Sequence, residues 1–309
     1  MIKNKTCLSV IEYALNVSYQ LLFLFIRRKI KKNNRKKFYF SVCCIFKDEA
    51  PYLREWIEYN KIIGTDHLYM YNNNSTDDFL QTISTYIDEG YVTLVNWSKQ
   101  YAQMEAYENC YVNYKNETNW LAFWDIDEFV CPLQDTNIKE FLKRYEGYPA
   151  VIIYWLLFGT NGLLQSEPNK LVTEQFTCAW EHLDGTGKII LSTNIQYTPT
   201  HIYHHHIYCK YRLAGFDLKI PMITEHKKFV FFPQIYKAPK KNTIQLNHYW
   251  SKSYEEYIKK IAKGDVAKME NEEIRQKSQF FYNHEQGNRV ENKAIFRFII
   301  KLKLALQQK

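Results

Sequence analysis

The sequence predicts an α/β fold built on an open, mostly parallel sheet flanked by helices. Apolar strand-like runs alternate with helix-like segments through the first 125 residues, the pattern of parallel strands joined by crossover helices. The run at residues 38–46 is apolar on both faces, as expected for a strand buried inside a parallel sheet. A chain of 309 residues can bury one large core, so we expect one domain with appendages.

The individual elements follow from apolar periodicity and from residues that stop helices. Gly64 and Gly90 each close a helical segment, and Pro51 suits a first helical turn with Asp48 as its N-cap. The predicted strands are 38–46, 67–71, 91–97, a strand that ends in Asp125, and 150–158. The predicted helices are 52–63, 79–88, 103–114, 138–145 and 254–263. Residues 160–245 show only short strands and loops.

The net charge of +8 is concentrated at the two ends of the chain. Residues 1–37 carry ten Lys or Arg against one Glu, and residues 288–309 carry six against one, so the body between them is net negative. A nucleic-acid-binding protein would spread basic residues over a folded face, so we expect no nucleic-acid partner. We expect an interfacial helix with a polybasic collar at 1–37, a catalytic domain at 38–265 and a basic helical tail at 266–309.

The first segment is largely apolar over residues 7–26 but includes Glu12, Asn16, Ser18 and Gln20, which a membrane-spanning helix tolerates poorly. No small-residue cleavage site follows, as a signal peptide requires, and residues 27–32 are mostly basic instead. We interpret it as an amphipathic helix lying on a membrane surface. A single span and a purely structural helix are the alternatives.

The tail predicts a basic amphipathic helix, whose apolar face either binds lipid or packs on the domain. Its basic residues recur every four positions, at Arg289, Lys293, Arg297 and Lys301, and its apolar face carries Ile295, Ile299, Leu302 and Leu306. Seven cysteines without a C-x-x-C spacing indicate free thiols rather than disulfides or a zinc site. Together these features predict a protein at the cytoplasmic, inner face of a cell membrane.

The sharpest chemical signal is an acidic pair, Asp125 and Asp127, directly after an apolar run. Side chains alternate along a strand, so both carboxylates are expected on one side as the strand finishes. Ligands of open α/β sheets collect outside the carboxyl ends of strands, and two carboxylates there suit Mg²⁺ or Mn²⁺. Such an ion can neutralise a departing diphosphate, so the pair predicts a metal-dependent, nucleotide-using transferase.

Three further clusters have structural explanations as well as functional ones. Residues 72–78 can hold a tight turn or contact a ribose or base. His248 can complete a metal site and Lys252 can meet a phosphate, although a single histidine near a strand end is usually structural. Residues 204–206 are consecutive histidines that point apart on an extended chain, so they cannot all bind one ion, and His201 could approach a substrate.

The order of these clusters resembles glycosyltransferase family 92, within the broader family 2-type GT-A transferases. The matching motifs span residues 40–265 and comprise K-D-E-A-P-Y-L-R-E-W-I-E-Y at 47–59, N-N-N-S-T-D at 72–77, Gln103 with Ala106-Tyr107 and Cys110, W-L-A-F-W-D-I-D-E-F at 120–129, Trp155 with Phe158-Gly159, and N-H-Y-W-S-K-S-Y-E-E at 247–256. Two positions depart from the family: Asp48 replaces its usual Asn, and Asn72 replaces a frequent Asp. The second change removes a negative charge from the expected donor site.

The resemblance implies a GT-A fold, a nucleotide-sugar donor such as a UDP-sugar, and a glycan or lipid-linked acceptor. It also implies Mn²⁺ or Mg²⁺ held by Asp125, Asp127 and His248. The donor-binding positions carried over from the family are Lys47, Glu49, Asn72, Asn73, Ser75, Gln103, Asp125 and Lys252.

An inverting transfer needs a carboxylate to accept the acceptor's proton, and Glu174 is the first candidate, with Glu181 and Asp184 as alternatives. Inversion itself is implied only by the family. An aspartyl phosphatase would use Asp125 as its nucleophile, but Phe129 stands where that class has Thr or Val. A non-catalytic carbohydrate-binding protein with this fold is the other alternative. The Lys-, Asn- and Tyr-rich, Gly-poor composition suggests bacterial surface polysaccharide or lipopolysaccharide assembly.

Overall fold

The computed structural model describes residues 5–30, 36–233, 238–262 and 278–307. The helices are α1 (Lys5–Lys29), α2 (Ala50–Ile62), α3 (Phe79–Asp88), α4 (Gln103–Tyr114), α5 (Ile138–Lys143), α6 (Val172–Gln175), α7 (Tyr254–Ala262), α8 (Ser278–Gln286) and α9 (Ile299–Gln307), with a 3-10 helix at Ala294–Phe298. The strands are β1 (Phe38–Phe46), β2 (His67–Asn72), β3 (Val92–Asn96), β4 (Thr118–Phe123), β5 (Glu128–Pro132), β6 (Ala150–Leu157), β7 (Cys178–Trp180), β8 (Gly187–Ser192), β9 (Tyr197–Pro199), β10 (Tyr208–Leu213), β11 (Phe216–Pro221), β12 (Ile244–His248) and β13 (Asn288–Glu291).

The main sheet has eight strands in the order β3-β2-β1-β4-β8-β6-β12-β5. The four strands β3, β2, β1 and β4 are parallel to one another, whereas β8 runs antiparallel between β4 and β6. Strand β12 is parallel to β6, and β5 closes the other edge antiparallel to β12. The predicted fold class, an α/β fold with an open, mostly parallel sheet flanked by helices, is confirmed.

The first half of the sheet brings the ends of β1, β2 and β3 to one edge. Phe46 lies beside Asn72, and Asn72 lies beside Asn96, so all three strands finish at the same level. Strand β1 is buried from Phe40 onward, because helices cover both faces of a parallel sheet. The loops that follow these strands therefore share a single crevice.

The acidic pair does not lie on a strand, contrary to the sequence prediction. Strand β4 ends at Phe123, and the chain turns through Asp125 and Asp127 before β5 begins at Glu128. Two reciprocal hydrogen bonds close this turn: the Glu128 amide donates to the Asp125 carbonyl at 3.1 Å, and the Asp125 amide donates to Glu128 Oε2 at 2.9 Å. These bonds favour the turn over further extension of β4, so the two carboxylates take different directions.

The predicted N-cap at Asp48 is also wrong. Helix α2 begins at Ala50 with Glu49 at the cap position, and Asp48 has a positive φ of 51°. Its Oδ1 instead accepts a hydrogen bond from the Thr76 amide at 2.7 Å. Asn and Asp both tolerate this left-handed backbone, which explains how the replacement of Asn at this position preserves the loop.

The predicted continuous tail helix is wrong at its start, because Arg289 lies in β13, which pairs with β7. The helical part begins at the 3-10 turn, and Ile295 and Leu302 are buried in the core. The apolar face of the tail thus packs on the domain. The predicted helix end at Lys263 and the collar residues Lys31 and Lys32 lie outside the described residues. The division at residues 37 and 265 stays a prediction.

Candidate active site

Asp125 lies just beyond the end of β4, where three side chains hold its carboxylate. Its Oδ1 accepts hydrogen bonds from Gln103 Nε2 and from the Tyr107 hydroxyl, both at 3.1 Å. Gln103 and Tyr107 are four residues apart, so one face of α4 presents both donors. Its Oδ2 lies 2.7 Å from Lys188 Nζ. Burial alone would raise the pKa of Asp125, but the Lys188 ammonium outweighs burial and holds that pKa below its usual value.

Lys188 is shared between Asp125 and Glu128, and the lysine side chain is 0% exposed. Its Nζ lies 3.3 Å from Glu128 Oε2, while Trp155 Nε1 donates to Glu128 Oε1 at 2.7 Å. Burial raises the pKa of Glu128 above its usual value, although Lys188 opposes the effect. Strands β6 and β8, which are hydrogen-bonded neighbours, supply the tryptophan and the lysine. The sheet therefore builds a rigid cationic support beneath Asp125.

Asp127 is held on the other side of the turn by Lys260 and His248. Lys260 Nζ lies 2.5 Å from Asp127 Oδ2 and also donates to the Trp250 carbonyl at 3.1 Å. His248 Nε2 lies 3.6 Å from Asp127 Oδ1. Burial would raise the pKa of Asp127, but the Lys260 ammonium, together with the neighbouring His248 imidazole, holds it well below its usual value. Burial lowers the pKa of His248, so its imidazole is neutral near pH 7.

The loops after β1 and β2 use their polar side chains to hold each other. Asn72 Oδ1 accepts from the Ser75 amide at 2.9 Å, and Ser75 Oγ accepts from the Asp48 amide at 3.0 Å. Asn73 Nδ2 donates to two carbonyls of the loop after β3, at 2.7 and 2.8 Å. The predicted donor-binding side chains of this segment therefore shape the crevice through their own hydrogen bonds. Lys47 is half-buried directly after β1.

A cavity of about 720 Å³ opens beside the loop after β1 and reaches Lys260, the partner of Asp127. Lys252 and Glu49 lie on its wall, with Lys252 Nζ 3.8 Å from Glu49 Oε2 and 4.0 Å above the centre of the Tyr52 ring. The lining includes further lysines and carboxylates, but neither Asp125 nor Asp127 is part of it. Lys260 therefore links the cavity to the acidic turn, and the ammonium groups of Lys252 and Lys260 suit a diphosphate.

The three candidate bases occupy different places. Glu174 lies on α6, where its Oε1 is 2.5 Å from Lys303 Nζ of the C-terminal helix, and it does not line the cavity. Glu181 is mostly exposed beside His182. The Asp184 amide donates to the Trp155 carbonyl at 2.8 Å, next to the tryptophan that supports Glu128. The structure therefore places the Asp184 backbone beside Trp155 and directs Glu174 toward the tail, and Asp184, like Glu174, does not line the cavity.

Sequence reasoning missed both lysines that hold the acidic pair. Lys188 carries a recognisable signal, since it is the single charge in the buried run of strand β8 and a buried lysine requires an acidic partner. Lys260 carries no such signal, because its position on α7 matches that of any surface lysine. The expectation that the consecutive histidines point apart is wrong for two of them, because residues 204–205 form a turn and the ring centres of His204 and His205 lie 3.8 Å apart. His205 Nδ1 also donates to the Gly187 carbonyl at 2.6 Å.

A divalent cation fits the chemistry of this site only if Lys260 moves. Among residues 5–30, 36–233, 238–262 and 278–307, no group of three His, Cys, Asp or Glu side chains is arranged to hold a metal ion. Nonetheless, the Lys260 ammonium already places a cation against Asp127. Within the described part of the chain, the buried Nδ1 of His248 has no hydrogen-bond partner, which leaves this nitrogen available to a ligand. Two carboxylates and an imidazole are donors that suit Mn²⁺.

Comparison with known proteins identifies one family. Residues 36–277 match the model of glycosyltransferase family 92. Family 92 proteins of Ricinus communis, Arabidopsis thaliana and Oryza sativa subsp. japonica are 26%, 36% and 27% identical over 57%, 50% and 55% of this chain. The aligned part covers 32%, 28% and 30% of those proteins, so the chain spans about a third of the length of the curated relatives it matches.

Solved structures resemble the chain only distantly. Staphylococcus aureus TarS residues 1–349 in complex with UDP has a TM-score of 0.33 and 13% identity, covering 50% of this chain and 47% of TarS. A UDP-glucose pyrophosphorylase complexed with UDP-glucose has a TM-score of 0.30 and 9% identity, covering 50% and 69%. Scores this low carry no weight for function. The family match, by contrast, includes the crevice loops, the acidic turn and His248, and the chain belongs to glycosyltransferase family 92.

Proposed function

We propose that this protein transfers a sugar from a nucleoside-diphosphate donor, most simply a UDP-sugar, to a hydroxyl group of a glycan or lipid-linked acceptor. One observation carries the proposal: Lys260, which holds Asp127 of the acidic turn, also lines a cavity of about 720 Å³ together with Lys252. The membership in family 92 supports it. The geometry suits a ligand that combines a diphosphate with a bulky polar group.

In this proposal the donor's diphosphate lies against Lys252 and Lys260. Lys252 is held over the Tyr52 ring and beside Glu49, so its ammonium is oriented before the donor arrives. Asn72, Asn73 and Ser75 hold the crevice walls, and Gln103 orients Asp125. These four residues position the donor site through the protein's own hydrogen bonds.

Asp125, Asp127 and His248 would hold Mn²⁺ or Mg²⁺ once Lys260 turns from Asp127 toward the diphosphate. When bound, the ion supplies positive charge that neutralises the departing diphosphate. Lys188 stays beneath Asp125 and fixes the direction of its carboxylate. The lysine on α7 can make this exchange because its side chain is partly exposed and rotates about four carbon–carbon bonds.

We assign the proton-accepting role of an inverting transfer to Asp184 rather than Glu174. Asp184 is anchored to Trp155 by its backbone and its Oδ1 accepts from the Thr186 amide at 2.7 Å, whereas Glu174 forms an ion pair with Lys303. Asp184→Asn is expected to lower kcat about 100-fold or more with little change in KM, because a general base acts mainly in the transition state. The matched variant Glu174→Gln is expected to leave kcat within a few-fold, and the reverse result would return the role to Glu174.

We also propose a bacterial surface-polysaccharide or lipopolysaccharide pathway and a location at the inner face of the cell membrane. The composition supports the bacterial setting, although the relatives named above are plant proteins. The basic ends of the chain support the location.

Calorimetric titration of UDP, with and without Mn²⁺, tests the central proposal. Wild type is expected to bind UDP more tightly with Mn²⁺, and Asp125→Asn and Asp127→Asn are expected to lose that gain. Asp217→Asn, which alters an exposed surface ion pair, serves as the matched control. UDP affinity that is unchanged by Mn²⁺ and by both substitutions would favour a non-catalytic protein. Absence of binding of any nucleotide would refute the proposal.

A further inference from the structure

Helix α1 has apolar side chains on two sides. Phe23 and Ile26 are buried against the body of the protein. The polar side chains in the middle of the helix also face the body, where they bond to the backbone. Asn16 Nδ2 donates to the Phe229 carbonyl at 2.7 Å, and its Oδ1 accepts from the Phe229 amide at 2.8 Å. Glu12 Oε1 accepts from the Phe231 amide at 3.0 Å, and Gln20 donates to the Lys227 carbonyl. These residues fasten α1 along the segment 227–231.

The outer face of α1 is apolar. Val10, Tyr13, Val17, Leu21, Leu24 and Phe25 are all exposed, and Leu21 and Leu24 are 60% and 62% exposed. Their spacing of three and four residues puts them on one side of the helix. A surface helix normally turns this stripe to the core and its polar side chains to water. The exposed stripe of α1 therefore indicates contact with an apolar phase.

Basic residues border this stripe. Arg27, Arg28 and Lys29 are exposed at the carboxyl end of α1. The β10–β11 hairpin lies alongside, since the Tyr19 hydroxyl donates to the Lys219 carbonyl at 3.0 Å. That hairpin carries Lys210 opposite Lys219 and an exposed Phe216 at its tip. An apolar stripe with basic neighbours has the charge and hydrophobicity that match an anionic lipid surface.

We propose that α1 lies in the plane of an anionic lipid bilayer, with its outer stripe in the acyl boundary and its basic end on the headgroups. Among the described residues, α1 is long and apolar enough to cross a membrane by length and composition alone. A span would nevertheless strip Glu12, Asn16 and Gln20 of their backbone partners and put them in hydrocarbon, which is unfavourable. An in-plane helix keeps these bonds. The proposal does not depend on the activity of the site.

Flotation of the full-length protein with lipid vesicles tests the proposal. Wild type is expected to float with vesicles of phosphatidylcholine mixed with phosphatidylglycerol and much less with phosphatidylcholine alone. The double variant Leu21→Glu, Leu24→Glu is expected to bind at least about tenfold more weakly, because it places two charges in the apolar stripe. Leu80→Glu on α3, an exposed leucine away from α1, is the matched control and should bind as wild type does.

The basic end is tested separately. Arg28→Gln with Lys29→Gln is expected to weaken binding to the anionic vesicles roughly 25-fold, at about fivefold per charge, and to leave binding to neutral vesicles unchanged. Extraction of native membranes with alkaline carbonate should release the protein, since an in-plane helix does not span. Three results would overturn the proposal. The protein could resist extraction with carbonate, or its vesicle binding could be unchanged by the Leu21 and Leu24 substitutions. Wild type could also self-associate instead of binding vesicles.

Discussion

The two halves of the acidic turn are both held by a lysine, yet they differ in how firmly. Asp125 faces Lys188, which is 0% exposed and is also bound to Glu128 within the sheet. Asp127 faces Lys260, which is 23% exposed and projects from α7 near the edge of the cavity. The first lysine is a fixed part of the core, and the second is the one that the proposed metal ion would displace. The two sides of the turn therefore differ in how strongly packing restricts their cation.

Substitution of Lys188, the buried lysine, should have the largest effect on stability. Lys188→Met removes the charge that compensates Asp125 and Glu128, both of which keep their burial. The free energy of unfolding is expected to fall by about 3–5 kcal/mol, because a buried carboxylate without its partner is strongly destabilising. Urea unfolding followed by circular dichroism measures this, and a loss below about 1 kcal/mol would show that Lys188 is not part of the rigid core.

A second substitution tests the buried hydrogen-bond network around Glu128. Trp155→Phe removes the indole N–H that donates to Glu128 Oε1 at 2.7 Å while it keeps most of the aromatic volume. The free energy of unfolding is expected to fall by about 1–3 kcal/mol, because the substitution leaves a buried carboxyl oxygen without its donor. The same urea experiment measures it. Trp97→Phe, on a partly buried tryptophan outside this network, is the control.

Substitution of Lys260 should affect stability less than substitution of Lys188 does, and it should change the affinity for Mn²⁺. Lys260→Ala is expected to lower the free energy of unfolding by about 1–3 kcal/mol, less than Lys188→Met does, because Lys260 is 23% exposed whereas Lys188 is fully buried. Mn²⁺ affinity without nucleotide is expected to rise about tenfold, since the ion no longer competes with an ammonium group. Calorimetry with Mn²⁺ alone measures it, and Lys259→Ala, an exposed neighbour on α7, is the control. Unchanged Mn²⁺ affinity would contradict the proposed exchange at Asp127.

The first half of the chain was predicted more accurately than the second. Strand β1 and helices α3 and α4 have the bounds read from the sequence, because local apolar periodicity and glycine stops define them. The shorter strands after residue 160 could not be placed in the sheet. Strand β8 pairs with β4 and β6 through contacts between residues far apart in the chain, and periodicity carries no information about such pairing.

The same limit applies to the candidate site. The sequence located Asp125, Asp127 and His248, and the structure places His248 beside Asp127 at 3.6 Å. The expected shared strand face was wrong, since the turn is closed by Glu128. Glu174 was chosen because residues 171–176 resemble a segment of the family, but Lys303 holds it toward the tail. Side chains that meet across the fold decide these roles, and their partners lie 63 residues or more away in the sequence.

By itself the sequence determined the α/β class, the parallel half of the sheet and the acidic pair at its edge, because each depends on local spacing of apolar and charged residues. The tertiary structure alone decided which cation holds each carboxylate and which face of α1 meets the body. The sequence marks Lys188 only as a single charge in an apolar run and does not mark Lys260 at all, but in the fold Lys188 is fully buried and Lys260 is 23% exposed. Burial is a property of the packed chain, and it sets the strength of every charge interaction at this site.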